Sequence, residues 1–230
     1  MSPRPKKGQQ QTNLLEAIKD TAWKQIAESG APTLSLRAIA RGLGITAPAI
    51  YNYYPDRDAL VTALIVDAFT SLGTAQIESI QDLPPENHLA RLTALGLSYR
   101  DWAMAYPQRY QLIFGTPIPS YHAPEDITLP AAAWALSPLI ATLQAIFLAG
   151  RLRVDRSAPR TVELTSMLEP WSQFTGGQDI EVLYAALVIW SRVHGLVMME
   201  IGEQMPSFIT APSEVFRREV ENITIQYLIS

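Results

Sequence analysis

Apolar positions recur along this chain at intervals of three and four, and no alternating run of useful length interrupts them. The pattern therefore predicts helices throughout. Near the start, Leu15, Ile18, Ala22 and Ile26 form one stripe, with Asn13 placed to cap that helix, Glu16 to complete a capping box, and Gly30 to end it. Ser35 caps a short second helix over residues 36–43, Gly44 turns the chain, Thr46 caps a third helix, and Pro55 stops it. A longer fourth helix begins near Asp56 and runs through Leu60, Val61, Leu64, Ile65 and Phe69. Further helices are predicted over 87–114, 130–152, 162–174, 179–205 and 213–229, separated by the Pro-rich or Gly-rich breaks DLPPE, GTPIPSYHAPED, VDRSAP, TGGQ and MPSFITAP. The fold class is all-α, with a small three-helix head over residues 1–58 and a larger helical domain over 59–230.

Composition narrows the picture. The 230 residues are 48% hydrophobic and 17% charged, as expected of a globular chain. With no cysteine, neither a disulfide framework nor a thiolate zinc site can form. The opening MSPRPKKGQQQ has no apolar run behind its basic residues, unlike a signal peptide. The uncharged stretch from Ile127 to Gly150 is long enough to span a bilayer, but Pro130, Pro138 and three polar residues interrupt it, so it reads as a buried helix and no membrane partner is expected. Residues 1–60 carry eight basic and five acidic side chains, +3; residues 61–230 carry ten and seventeen, −7, which together give the net −4. A basic head on an acidic body points the head toward a polyanion.

The chemistry concentrates in LRAIARGLGITAPAIYNYY, residues 36–54. Ala40 falls where two helices of a helix-turn-helix cross, Gly44 supplies the positive φ of the tight turn, and Ile39, Leu43, Ile45 and Ile50 pack the two helices together. Such a unit sets its second helix into the DNA major groove. Three tyrosines in IYNYYPDRD then need a surface. Tyr51 is close to the exposed side, where its phenol can donate to a phosphate, and one of Tyr53 and Tyr54 can do the same while the other packs inward. Base reading falls to Thr46, Ala47, Pro48, Ala49 and Asn52, through thymine methyls and one amide contact to adenine. Arg37 and Arg41 can face phosphates from the second helix. Arg4, Lys6 and Lys7 either lie in the adjacent minor groove or form a solvated tail.

Over residues 13–69 the chain resembles the TetR family of transcriptional regulators: Thr33, Ser35, Leu36, Ile39, Ala40, Gly44, Ile45, Tyr51, Tyr54, Arg57 and Leu60 stand in register with its head motif, Arg57 in place of the usual lysine. The resemblance implies that Thr33, Ser35 and Arg57 touch the DNA backbone. Further along, Trp190, His194 and Gly195 make the W-x-x-x-H-G pattern of one subgroup, and residues 102–115 are similar to the same subgroup. The helix that carries them is apolar on two faces: Leu183, Leu187, Trp190, His194 and Val197 on one, and Tyr184, Val188, Ser191, Gly195 and Met199 on the other. One face would meet the domain interior and the other a partner subunit. The last helix has the stripe Phe216, Val220, Ile223 and Tyr227, with Glu214 and Arg218 paired outside. Together the two helices imply a four-helix dimer seam and a roughly palindromic operator.

The family also implies a small-molecule effector, hydrophobic or aromatic. Its candidate contacts are Trp102, Tyr106, Tyr110, Phe114, Trp134, Phe147, Met167, Trp171, Trp190 and His194, although buried aromatics more often fill cores, and His194 more often serves a core or an interface. The three histidines lie far apart, and no catalytic or phosphate-loop motif is present. No catalytic residue, metal or cofactor is therefore expected. The expected partners are double-stranded DNA, a small-molecule effector and a second copy of the chain, in the cytoplasm. The alternatives are an all-α enzyme and an interaction module that has lost specific DNA binding.

Overall fold

The computed structural model describes residues 7–153 and 160–229, with side chains from residue 13 onward. Among the described residues are ten α-helices and no strand: α1 (Lys7–Ser29), α2 (Leu36–Gly42), α3 (Ala47–Tyr51), α4 (Arg57–Ile80), α5 (His88–Ala105), α6 (Pro107–Phe114), α7 (Glu125–Leu148), α8 (Val162–Phe174), α9 (Ile180–Ile201) and α10 (Pro212–Tyr227). A 3-10 turn, Ala31–Thr33, precedes α2. The all-α class follows from the sequence pattern; several boundaries do not.

Each difference has a local cause. The glutamine run continues α1 back to Lys7, so Asn13 lies inside the helix and caps nothing. Residues 87–114 form two helices because Pro107 lacks the N–H that would continue α5; Tyr106 leaves helical geometry, with φ −131° and ψ 57°, and Pro107 starts α6. α7 begins at Glu125, ahead of both prolines, with two acids in its first turn. It survives Pro138 because the Ser137 hydroxyl donates at 2.9 Å to the Trp134 carbonyl, the acceptor that the missing N–H leaves open. α9 stops short of residue 205, where Glu203 takes a positive φ and the Gln204 N–H turns back to the Met199 carbonyl.

The helices group into two compact units, one of residues up to Phe69 with Tyr106–Ala131, the other of Thr70–Ala105 with residues from Ala132 on. This grouping differs from a division at residue 58: the first unit keeps the start of α4 and also takes α6. Its core combines Ile18, Ala22 and Ile26 of α1, Ile39 and Ala40 of α2, Ile50 of α3, and Leu60, Val61 and Leu64 of α4. The Lys19 ammonium holds the Asp67 carboxylate at 2.8 Å. Burial disfavours the charge on Lys19, yet the hydrogen bond and attraction to Asp67 outweigh it and leave its pKa raised.

α2 ends in a Schellman turn. The Ile45 N–H reaches the Ala40 carbonyl at 3.0 Å, and the Gly44 N–H reaches Arg41 at 3.1 Å. Gly44 sits at φ 65°, and a Cβ added there would meet nothing within 4 Å, so its requirement for glycine is purely conformational.

In the second unit α5, α9 and α10 pack on one another and α8 packs on α9. Leu92, Leu95, Tyr99, Leu183, Val193, Val197, Phe216, Val220 and Ile223 are buried there. Two polar links join α5 to α9. Arg100 makes a two-pronged contact to Glu200, and the Tyr99 hydroxyl hydrogen-bonds His194 Nδ1 at 3.0 Å. On α10 the expected stripe is buried save for half-buried Tyr227. The expected Glu214–Arg218 pair is replaced by Glu214–Arg217 and Arg218–Glu221, both three residues apart.

Among the described residues, α4, α7 and α9 are long and apolar enough to cross a membrane by length and composition. Here roughly half of each such window, or somewhat less, is buried inside the protein.

Two outcomes are expected. Gly44→Ala should cost about 1 kcal/mol, read as a lower urea midpoint with an unchanged slope, because only the left-handed backbone penalty is added. Burial lowers the pKa of His194 and, with help from Arg151 and Arg91, that of His88, both from 6.5. The fold thus favours neutral imidazoles, and their contribution is complete above pH 6.5 and declines as pH falls through the lower folded values. Urea midpoints should fall between pH 7.5 and pH 5.5, and the double variant His88→Gln, His194→Gln should show a shallower decline; an unchanged decline would contradict this account.

Candidate nucleic-acid interface

The turn at Gly44 directs α3 so that its residues divide cleanly. Ile50 and Tyr54 enter the core of the first unit, whereas Thr46, Pro48, Tyr51 and Asn52 are exposed, and Ala47, Ala49 and Tyr53 are half-buried. The three tyrosines therefore take three positions. Tyr54 is only 6% exposed, so its ring is a core residue rather than a DNA contact, and burial raises its pKa. Tyr51, at 42%, presents its phenol to solvent. Tyr53 lies between them.

Four of the expected backbone contacts meet in one place. Ser35, Arg37, Tyr51 and Arg57 line a cleft of about 320 Å3, with Leu34, Leu36, Pro55 and Asp56. Ser35 caps α2 by accepting from the Ala38 N–H at 3.4 Å, which leaves its own hydroxyl hydrogen to donate. Arg37 is exposed. Two cationic side chains, a phenol and a hydroxyl make a phosphate-sized donor set. Asp56 opposes it with a carboxylate that also accepts the Ala59 N–H at 2.8 Å and so caps the start of α4.

Arg57 does more than offer charge. Its Nη2 donates to the Ala31 and Pro32 carbonyls, each at 3.3 Å, while Nη1 lies 3.7 Å from Asp58. The first residue of α4 thus holds the turn that leads into α2. One nitrogen serves both carbonyls, and the second Nη faces Asp58, so the guanidinium meets the turn and the carboxylate at once. Thr33 is exposed, but its hydroxyl donates to the Gly30 carbonyl at 2.9 Å and lies 3.2 Å from the Ser29 carbonyl, so its hydrogen closes the end of α1. Thr46 stands at the N-cap of α3 without making the expected side-chain cap, since Pro48 removes one of the donors it would accept from. Arg41 is exposed. Arg4, Lys6 and the Lys7 side chain lie outside the described residues.

The expected effector residues do not all fall in one unit. Tyr106, Tyr110 and Phe114 belong to the first, the other seven to the second. Tyr110 is fully buried, with its ring 5.1 Å from Phe114. Tyr106 is exposed and stacks 4.7 Å from the Arg109 guanidinium, which also covers Trp23. Trp102 is buried and donates to the Ser71 hydroxyl at 3.0 Å. Trp134 packs on Gly73, where a Cβ would come within 2.4 Å of its ring. Phe147 and Trp171 are half-buried, Trp190 stacks on His194 at 4.8 Å, and Met167 is 70% exposed. Sequence periodicity could not separate these, because core and cavity aromatics share the same spacing. Among the described residues, no cluster of three or more His, Asp or Glu could hold a metal ion.

Comparison with known proteins agrees with this geometry. The family profile for bacterial regulatory proteins of the tetR family matches residues 18–64, and the profile for the tetracyclin repressor-like C-terminal domain matches residues 92–223. HTH-type transcriptional regulators of Mycobacterium tuberculosis (strain ATCC 25618 / H37Rv) and Mycobacterium bovis are each 32% identical over 203 residues, 86% of this chain and 86% of their own. A solved regulatory protein superposes with a TM-score of 0.77 at 32% identity, covering 96% of this chain and 98% of its own. A TetR variant from Acinetobacter baumannii AYE, solved in complex with minocycline, shares the fold at a TM-score of 0.52 and 16% identity, over 96% of each chain. The chain belongs to the TetR family of bacterial transcriptional regulators, its helix-turn-helix lying in α2 and α3.

Proposed function

We propose that the protein is a ligand-responsive repressor that binds a roughly palindromic operator as a dimer and releases it when a small hydrophobic or aromatic effector binds. The observation that carries the DNA half is the cleft shared by Ser35, Arg37, Tyr51 and Arg57, beside the exposed Thr46, Pro48 and Asn52 of α3. The cleft would position a phosphate, and the adjacent surface would read bases. Such a protein works where the DNA is, in the cytoplasm.

The dimer half rests on α9. Val182, Ala186, Ile189, Val193 and Val197 are buried, while Tyr184, Leu187, Ser191, Gly195 and Met199 form an exposed stripe at helical spacing. Leu187 thus joins the outer face rather than the inner. A Cβ at Gly195 would meet nothing within 4 Å, which leaves room for a second helix to approach. Effector contact would come from the half-buried Phe147, Trp171, Trp190 and His194; binding would favour a state whose two heads no longer match the half-site spacing.

The test is binding of the purified protein to DNA upstream of its own gene, against a scrambled duplex, over a range of salt. Tight, salt-sensitive binding to the first alone is expected. Equal affinity for both, before and after unfolding and refolding to strip any bound ligand, would contradict specific recognition there. Tyr51→Phe should weaken both duplexes about tenfold, the loss of one hydrogen bond to a charged group, and Asn52→Ala should weaken only the specific one. Gly195→Glu should yield monomers by light scattering and lose operator affinity; a stable Gly195→Glu dimer would remove α9 from the seam.

A further inference from the structure

The segment between α6 and α7, residues 115–124, forms one wall of a partly open cavity of about 290 Å3 within the first unit. Ile65 and Phe69 of α4, Leu112 and Ile113 of α6, and Ile118 and Tyr121 of the segment form its apolar walls. None of them is among the expected effector contacts.

The segment is built to stand off rather than collapse. Pro117, Pro119 and Pro124 restrict it, Ile118 anchors it in the core, and Ser120 takes φ 63°, a left-handed conformation uncommon outside glycine. Backbone held in such regions concentrates where a protein binds something. The space is roughly twice the ~150 Å3 apolar cavity that admits benzene, so a single substituted ring fits.

The hydroxyls on its lining define the ligand further. Thr62 donates its one hydrogen to the Asp58 carbonyl at 2.9 Å, so Tyr121 must be the donor in the 2.9 Å contact between the two hydroxyls. Thr128, which also lines the cavity, donates to the Pro124 carbonyl at 3.0 Å. The Tyr121 and Thr128 oxygens are left with lone pairs, Thr116 adds a third hydroxyl at the exposed rim, and no lysine or arginine lines the space. The two inner acceptors suit a molecule that brings a donor, and the lack of any cation to offset a buried charge favours a neutral one over a carboxylate. We propose that this cavity is a binding site for a neutral, mostly apolar, one-ring molecule carrying a hydroxyl or N–H, of the phenol or indole class. The site lies in the same unit as the helix-turn-helix and is separate from the tryptophans of the second unit.

The test titrates the full chain with p-cresol by calorimetry, with benzoate as the anionic counterpart. Saturable binding of one p-cresol per chain is expected, with benzoate about tenfold weaker or more. Ile118→Trp should fill the cavity, and Ala123→Trp, at an exposed lining position, should block it without disturbing the core. Each should weaken p-cresol about tenfold or more while melting as a folded helical protein. No saturable binding at millimolar p-cresol, equal affinity for benzoate, or undiminished binding in a folded Ala123→Trp protein would overturn the proposal. DNA binding measured on the same preparations keeps the two readings apart: operator binding without p-cresol binding defeats only the cavity, and the reverse defeats only the repressor.

Discussion

The first unit depends on one backbone constraint, the left-handed residue that closes α2. Because Gly44 can adopt φ 65°, the Ile45 and Gly44 N–H groups turn back to satisfy the last carbonyls of α2, and the chain leaves at the angle α3 requires. From that angle follows the division of α3: Ile50 and Tyr54 inward, Tyr51 and Asn52 outward. Ala40 is only 2% exposed at the helix crossing, where a larger side chain would push the two apart.

A second constraint fastens the turn before α2. Arg57, the first residue of α4, holds the Ala31 and Pro32 carbonyls and also lines the cleft with Ser35, Arg37 and Tyr51. One guanidinium therefore shapes the site and contributes charge to it. The second unit is tied differently, by the paired Arg100 and Glu200 and by Tyr99 with His194, both joining α5 to α9. These polar links fix the inner face of α9 and leave Tyr184, Leu187, Ser191, Gly195 and Met199 outside.

Much of this was legible in advance. Periodicity placed the helices, and the turn residues placed most of their ends, because local hydrogen bonding dictates both. It failed where a local signal met a stronger competitor. The capping box at Asn13 lost to the helix-forming glutamines before it, and Thr46 lost its capping bond to Pro48. Pro138 did not break α7, because a neighbouring serine satisfied the carbonyl it exposed.

By itself the sequence determined the all-α class, the helix-turn-helix and the residue types that could face a phosphate, since helical period, a glycine turn and side-chain chemistry are properties of neighbouring residues. Only the tertiary structure decided which tyrosine is buried, that Arg57 braces a turn, and that an apolar cavity opens beside α4. Those outcomes depend on contacts between residues distant in the chain. Arg57 lies 26 residues from Ala31 and Tyr121 lies 59 from Thr62, and no periodic pattern encodes such pairs.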